Sequence, residues 1–183
     1  MSDIRWSGLS PAGSFDRAEM MDRFRVIVEI PKGSRNKYEM DHDTGRIRLD
    51  RTLFASVHYP ADYGFIEGTL GEDGDPLDAL VLVAEPTFPG CEIESRAVGV
   101  FRMRDDKGVD HKVLCVPVSD PLWSPIVALK EVPPHLLVEI EHFFNVYKTL
   151  EGKETVTHGW DDEEAASAVV AEAFARVAVE EAP

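Results

Sequence analysis

The run Ala79-Leu80-Val81-Leu82-Val83 is apolar at both parities. An extended segment points alternate side chains to opposite sides, so a strand of this kind has to be covered on both faces. The chain must therefore build layers around it. The six residues from Ala79 to Ala84 are also the longest uninterrupted apolar stretch, far short of the ~20 that a helix needs to cross a bilayer. A membrane-spanning protein is not expected.

Upstream, Phe24, Val26, Val28 and Ile30 alternate with Arg25, Ile27 and Glu29, the period of a half-buried strand that Pro31-Lys32-Gly33-Ser34 brings to a stop. A second extended piece runs from Lys37 to Asp41, Asp43-Thr44-Gly45 supplies a turn, and a third strand follows over Arg46–Arg51. There Ile47, Leu49 and Arg51 share one parity, which places an arginine at the end of a face expected to be buried. Further strands are expected at 96–103 and 112–118. Leu136, Ile140, Phe143, Phe144 and Tyr147 recur at helical spacing after Pro133-Pro134, with Gly152 as the stop. In a last helix, capped by Asp161 or Asp162, Ala166, Val169, Val170, Ala173, Phe174 and Val177 form one stripe. Strands first and helices last argue for an α+β fold, a small barrel with helices packed outside.

Residues 1–22 mix Ser, Gly, Pro and charges without a period and read as a flexible N-terminal extension, leaving 23–183 as a single domain. With no apolar block in that extension a secretory signal is not visible, and a cytoplasmic protein is expected. Cys91 and Cys115 are too few and too isolated for a disulfide framework or a thiolate metal site, so both are read as reduced. The 34 acidic residues against 19 Lys plus Arg give a formal net charge of −15, which repels a phosphate backbone and argues against nucleic acid as a partner.

Where the acids fall is more informative than how many there are. In Asp73-Gly74-Asp75-Pro76-Leu77-Asp78 an extended backbone would point Asp73 and Asp75 the same way, with Pro76 turning Asp78 towards them, so that three carboxylates face one point. The spacing fails as an EF-hand, whose fifth and twelfth loop positions would fall on Leu77 and Ala84. A second acidic group, Asp105, Asp106 and Asp110, precedes Lys112. Either group alone would be an ordinary polar turn. Both lie at ends of expected strands, however, and a barrel could bring them to one mouth together with Glu29 and Glu39. Two unit charges 4 Å apart repel by ~4 kcal/mol at an effective dielectric of 20, so such a gathering needs cations. With all-oxygen donors and no His/Cys cluster, those cations should be Mg²⁺ or Mn²⁺. Lys37, Arg51, Lys112 and Lys148 are interleaved among the acids, and metal-binding carboxylates beside convergent cations suit a phosphate compound. A small one is expected, because the chain has neither Gly-x4-Gly-Lys-Ser/Thr nor Gly-x-Gly-x-x-Gly. Two rivals remain at this point. One is an OB-type module for single strands, and the other is a metal-dependent phosphohydrolase acting on nucleotides or longer polyphosphates.

Taken in order, Glu29-Ile30-Pro31-Lys32-Gly33, Lys37-Tyr38-Glu39, Asp50-Arg51, Tyr59-Pro60-Ala61-Asp62-Tyr63-Gly64, Asp73-Gly74-Asp75-Pro76-Leu77-Asp78 and His142-Phe143-Phe144 with Tyr147-Lys148 resemble the soluble family I inorganic pyrophosphatases of bacterial type. The similarity runs from about Phe24 to about Phe174. It implies a five-stranded OB-like closed β-barrel with flanking helices, hydrolysis of pyrophosphate, several Mg²⁺ per subunit with Mn²⁺ as a substitute, and a homohexamer. Carried over by position, Asp73, Asp78 and Asp110 would hold a first metal pair, Asp105 and Asp110 a metal arriving with substrate, and Glu29 and Glu39 a further one. Asp75 would be the general base for a metal-activated water. Lys37, Arg51, Tyr147 and Lys148 would clamp the leaving phosphate and Tyr63 would bind near the attacked one. Lys112 would orient the acids and touch phosphate. Tyr59 and Asp106 match positions of secondary role.

Overall fold

The computed structural model describes residues 23–106 and 108–180, so the extension expected at 1–22 lies outside the described residues. In chain order the strands are β1 (Phe24–Ile30), β2 (Asn36–Asp41), β3 (Arg46–Thr52), β4 (Asp62–Ile66), β5 (Asp78–Val81), β6 (Glu92–Asp105), β7 (Gly108–Val109), β8 (Lys112–Pro117) and β9 (Val156–Asp161). The helices α1 (Pro134–Val146) and α2 (Glu163–Glu180) flank β9. β1 pairs antiparallel with both β4 and β6, β4 with β5, β5 parallel with β8, and β8 with β6, so the pairing path returns to its first strand. β7 and β9 add to β6, and β2 with β3 forms a separate two-stranded sheet. The result is a mixed sheet with few helices, as the α+β expectation requires.

The doubly apolar run is explained by two clusters on opposite sides of the sheet. Leu80 on β5 and Leu114 and Val116 on β8 join Tyr59, Tyr63, Phe101, Ile140, Phe143, Phe144 and Tyr147 beneath α1. Their neighbours Ala79, Val81, Val113 and Cys115 join Ala166, Val170 and Ala173 of α2. Each fully buried Leu or Val stabilises by ~1.5–3 kcal/mol relative to exposure, so β5 and β8 anchor both layers. β1 contributes to both as well. Phe24 and Val26 lie in the α2 cluster, whereas Ile30 lies in the α1 cluster, on the far side of a register shift between Val28 and Ile30. Gly64 makes the approach of β4 to β1 possible: a Cβ at this position would stand 1.9 Å from the carbonyl oxygen of Ile27. Asp62, fully buried at the start of β4, accepts the Lys32 N–H at 2.7 Å and both the N–H and hydroxyl of Thr87 at 3.1 and 2.6 Å. It thereby ties the Pro31–Gly33 turn to the sheet.

Three sequence readings need correction. The third strand buries the face of Ile47, Leu49 and Arg51 only in part: Ile47 and Arg51 are half-buried, but Leu49 is 58% exposed. β2 and β3 pair only with each other, outside the main sheet, and the opposite side of β3 (Arg46, Arg48, Asp50 and Thr52) is exposed throughout. The strand expected at Ala79–Val83 spans Asp78–Val81. Finally, Asp73–Asp75 is a turn rather than an extended piece. Gly74 sits at φ +88° and the Asp73 carboxylate accepts the Asp75 N–H at 3.2 Å, closing a local Asx-type loop.

Candidate active site

Around the α1 end of the sheet lies a cleft of about 450 Å³, within the range of small-ligand sites. Glu29 from β1, Lys37 and Glu39 from β2, Arg51 from β3 and Tyr63 from β4 line it. So do Asp73, Asp75 and Asp78 from the turn into β5, Asp105, Asp110 and Lys112 from the β6–β8 region, and Tyr147 and Lys148 from the end of α1. Of the residues that the sequence singled out for the site, all but Asp106 therefore line one opening, delivered by seven strands and a helix end.

Lysines bridge the acids. Lys112 is 2% exposed and its ammonium contacts both Asp78 and Asp110. Burial alone would lower its pKa, but those two carboxylates outweigh burial and hold it above the ordinary lysine value. The Tyr63 hydroxyl donates to Asp78 at 2.5 Å, while burial and then the charge of Asp78 push the phenol well above its usual range. Lys148 donates to Asp105 at 2.8 Å and lies 5.3 Å from the centre of the Tyr147 ring. Lys37 contacts Glu39 and stands 3.6 Å from Asp50, which also accepts from Arg51. Glu29 accepts the Met40 N–H at 2.6 Å, yet burial, reinforced by Asp78, raises its carboxyl to about 7. Asp110 is likewise raised, first by burial and then by Asp78, with Lys112 opposing.

Among the described residues no three His, Cys, Asp or Glu side chains stand close enough to hold one ion as they are placed. The convergence of Asp73, Asp75 and Asp78 on a single point is therefore not met, because the 73–75 segment turns on itself. The donor set still fits hard divalent cations. It is made of carboxylate oxygens, and Glu29 and Asp110 are raised first by burial, a desolvation that a bound hard cation would offset.

The family model described as inorganic pyrophosphatase matches residues 26–178. The chain belongs to the inorganic pyrophosphatase family. Membership makes it an enzyme, a hydrolase. It is 58% identical over 148 residues to an inorganic pyrophosphatase of Methanosarcina mazei, covering 81% of this chain and 88% of that one. It is 56% identical over 154 residues to that of Streptomyces coelicolor, covering 84% and 94%. Among solved structures, the inorganic pyrophosphatase of Helicobacter pylori superposes with a TM-score of 0.85 at 37% identity, covering 90% of this chain and 99% of the other. That of Thermus thermophilus gives 0.83 at 41% identity, covering 94% and 97%.

Sequence reasoning passed over several residues at the cleft. His42, Asp50 and Lys153 line it, and Lys153 stands 3.8 Å from Asp106. Glu151 grips Arg51 from behind: Nε donates to one carboxylate oxygen at 3.0 Å, and Nη2 is ion-paired with the other at 3.0 Å. A signal for Asp50 was present in its adjacency to Arg51. For Glu151 there was none, since its partner lies 100 residues away.

Proposed function

We propose that the chain hydrolyses inorganic pyrophosphate to two orthophosphates, with Mg²⁺ as its metal and Mn²⁺ as a substitute, by direct attack of water with Asp75 as general base. The observation that carries this reading is the meeting, in one cleft, of eight carboxylates with the cationic groups of Lys37, Arg51, Lys112 and Lys148. A small polyanion accompanied by divalent cations complements both signs of charge at once. Glu29, Glu39, Asp73, Asp78, Asp105 and Asp110 would hold the cations. Bound there, divalent metal supplies Lewis-acid activation of water and neutralises phosphate charge.

The chain's own groups divide the remaining work. Lys37, Arg51, Tyr147 and Lys148 bind the oxygens of the leaving phosphate, and Tyr63 binds near the attacked one. Lys112 keeps Asp78 and Asp110 in register and reaches the substrate. Asp75 accepts the proton of the attacking water as the new O–P bond forms, and the bridging P–O bond breaks with its electron pair passing to the leaving phosphate. A covalent intermediate is not required. The aromatic residues at the cleft argue against a single-strand binding platform: Tyr63, Phe144 and Tyr147 are 8%, 1% and 4% exposed and so offer no open face for a base. The same reading takes 23–183 as one catalytic domain, the ring of five strands as an OB-like closed barrel, and the assembly as a cytoplasmic homohexamer.

The test compares phosphate release from pyrophosphate, tripolyphosphate and ATP, each with Mg²⁺. Fast release from pyrophosphate alone is the expected result. Faster release from ATP or tripolyphosphate would replace this reading with a broader phosphohydrolase, and absence of release from all three would overturn it.

A further inference from the structure

We propose that Glu151 is a positioning residue for phosphate binding, acting through Arg51; the inference rests on the pyrophosphatase reading above. The Glu151 side chain is 8% exposed, against 24% for that of Arg51. It engages the guanidinium side-on, through Nε and Nη2, both at 3.0 Å. A guanidinium has five N–H hydrogens in a fixed plane. Glu151 takes the one on Nε and pairs its second oxygen with Nη2, and Asp50 takes one on Nη1. Glu151 thus holds the Nε–Nη2 edge and leaves the Nη1–Nη2 edge, which Asp50 meets at Nη1, for a phosphate that displaces Asp50.

The two acids on Arg51 differ in kind. Asp50 is the next-door residue on β3, is 29% exposed, and is shared with Lys37 at 3.6 Å, so an arriving phosphate competes with it for both cations. Glu151 is held from elsewhere in the fold. It closes the single turn Thr149–Glu151, its N–H donates to the Lys148 carbonyl at 2.9 Å, and Gly152 leaves that turn at φ +69°. One short turn thus presents Lys148 directly and fixes the plane of Arg51 through Glu151. A free arginine side chain has many rotamers, and this fork removes that freedom before substrate arrives.

The positioning role has a sign that simple electrostatics lacks. Removing a negative charge beside Arg51 should tighten the binding of an anion if charge were all that mattered. If orientation matters more, binding should weaken. In Glu151→Gln the amide group places N–H donors against an N–H donor, and in Glu151→Asp the charge stays but the carboxylate is one methylene too short for the fork. We expect both to raise the KM for pyrophosphate ~10-fold in Mg²⁺ while kcat changes by less than ~3-fold, the pattern of lost substrate binding. In an Arg51→Ala background neither should raise KM further. A KM at or below that of the wild type in both variants overturns the proposal, as does an equal rise with and without Arg51. In each of those cases an active wild type leaves the pyrophosphatase reading standing. A wild type that releases no phosphate from pyrophosphate removes both.

Discussion

Lys112→Met removes the ammonium that Asp78 and Asp110 share while keeping most of the buried stem. Because both carboxylates reach the same nitrogen, their oxygens lie within ~5 Å of each other. At an effective dielectric of 20, two unit charges at that distance repel by about 3 kcal/mol, in line with the ~3–5 kcal/mol lost when one partner of a buried pair is removed. Asp78 and Asp110 are 27% and 14% exposed, so solvent screens this repulsion only in part. The pair can relieve itself by taking up a proton, and Asp110 already sits above the ordinary aspartate pKa. An acid whose folded-state pKa is raised contributes stability at low pH and loses it as pH rises through that pKa. In chelator, urea unfolding should therefore show a loss of about 3 kcal/mol at pH 8 that shrinks as pH falls and Asp110 takes up a proton. A variant as stable as the wild type at pH 8, or a loss that does not shrink as pH falls, would refute the charge argument. Adding Asp78→Asn should restore most of the deficit at pH 8.

Asp75→Asn should lower turnover by ~10²–10⁴, the usual worth of a general base, with an unchanged melting temperature; near wild-type turnover would remove Asp75 from that role. Chelation of divalent cations should lower the melting temperature, since bound metal stabilises by mass action and would ease the burial that raises the carboxyl of Glu29. A melting point indifferent to Mg²⁺ would count against a metal-holding cleft. Gly64→Ala should destabilise by ~2 kcal/mol or more, because its methyl would meet the Ile27 carbonyl and force β4 away from β1. A melting temperature within a degree of wild type would show that the strands separate more easily than the packing implies.

What could be read in advance followed the physics of each segment. β1 was legible because its burial alternates without exception, and α2 because Ala166, Val170 and Ala173 repeat at helical spacing. β3 misled, since Ile47 and Leu49 carry the period of a buried face on a hairpin that pairs only with itself. β4 gave no alternation at all: Asp62, Tyr63 and Gly64 are buried regardless of parity. β9 was hidden by its polar sequence, Val-Thr-His-Gly-Trp-Asp. In the site, local neighbours such as Asp110 with Lys112 could be paired by eye, but the reach of Lys112 to Asp78 and of Arg51 to Glu151 depends on how distant strands are stacked. Residue types suggest which groups want partners. Only the sheet decides who they are.

The circular pairing of strands also sets a schedule for synthesis. β1 leaves the ribosome early and finds β4 some thirty-five residues on, but its other edge pairs with Glu92–Ser95. At ~5–20 residues per second, the nascent chain carries that open hydrogen-bonding edge for several seconds before the strand that covers it exists. Newly made polypeptide is thus most exposed to edge-to-edge association, and to capture by a chaperone, in the interval between those two events.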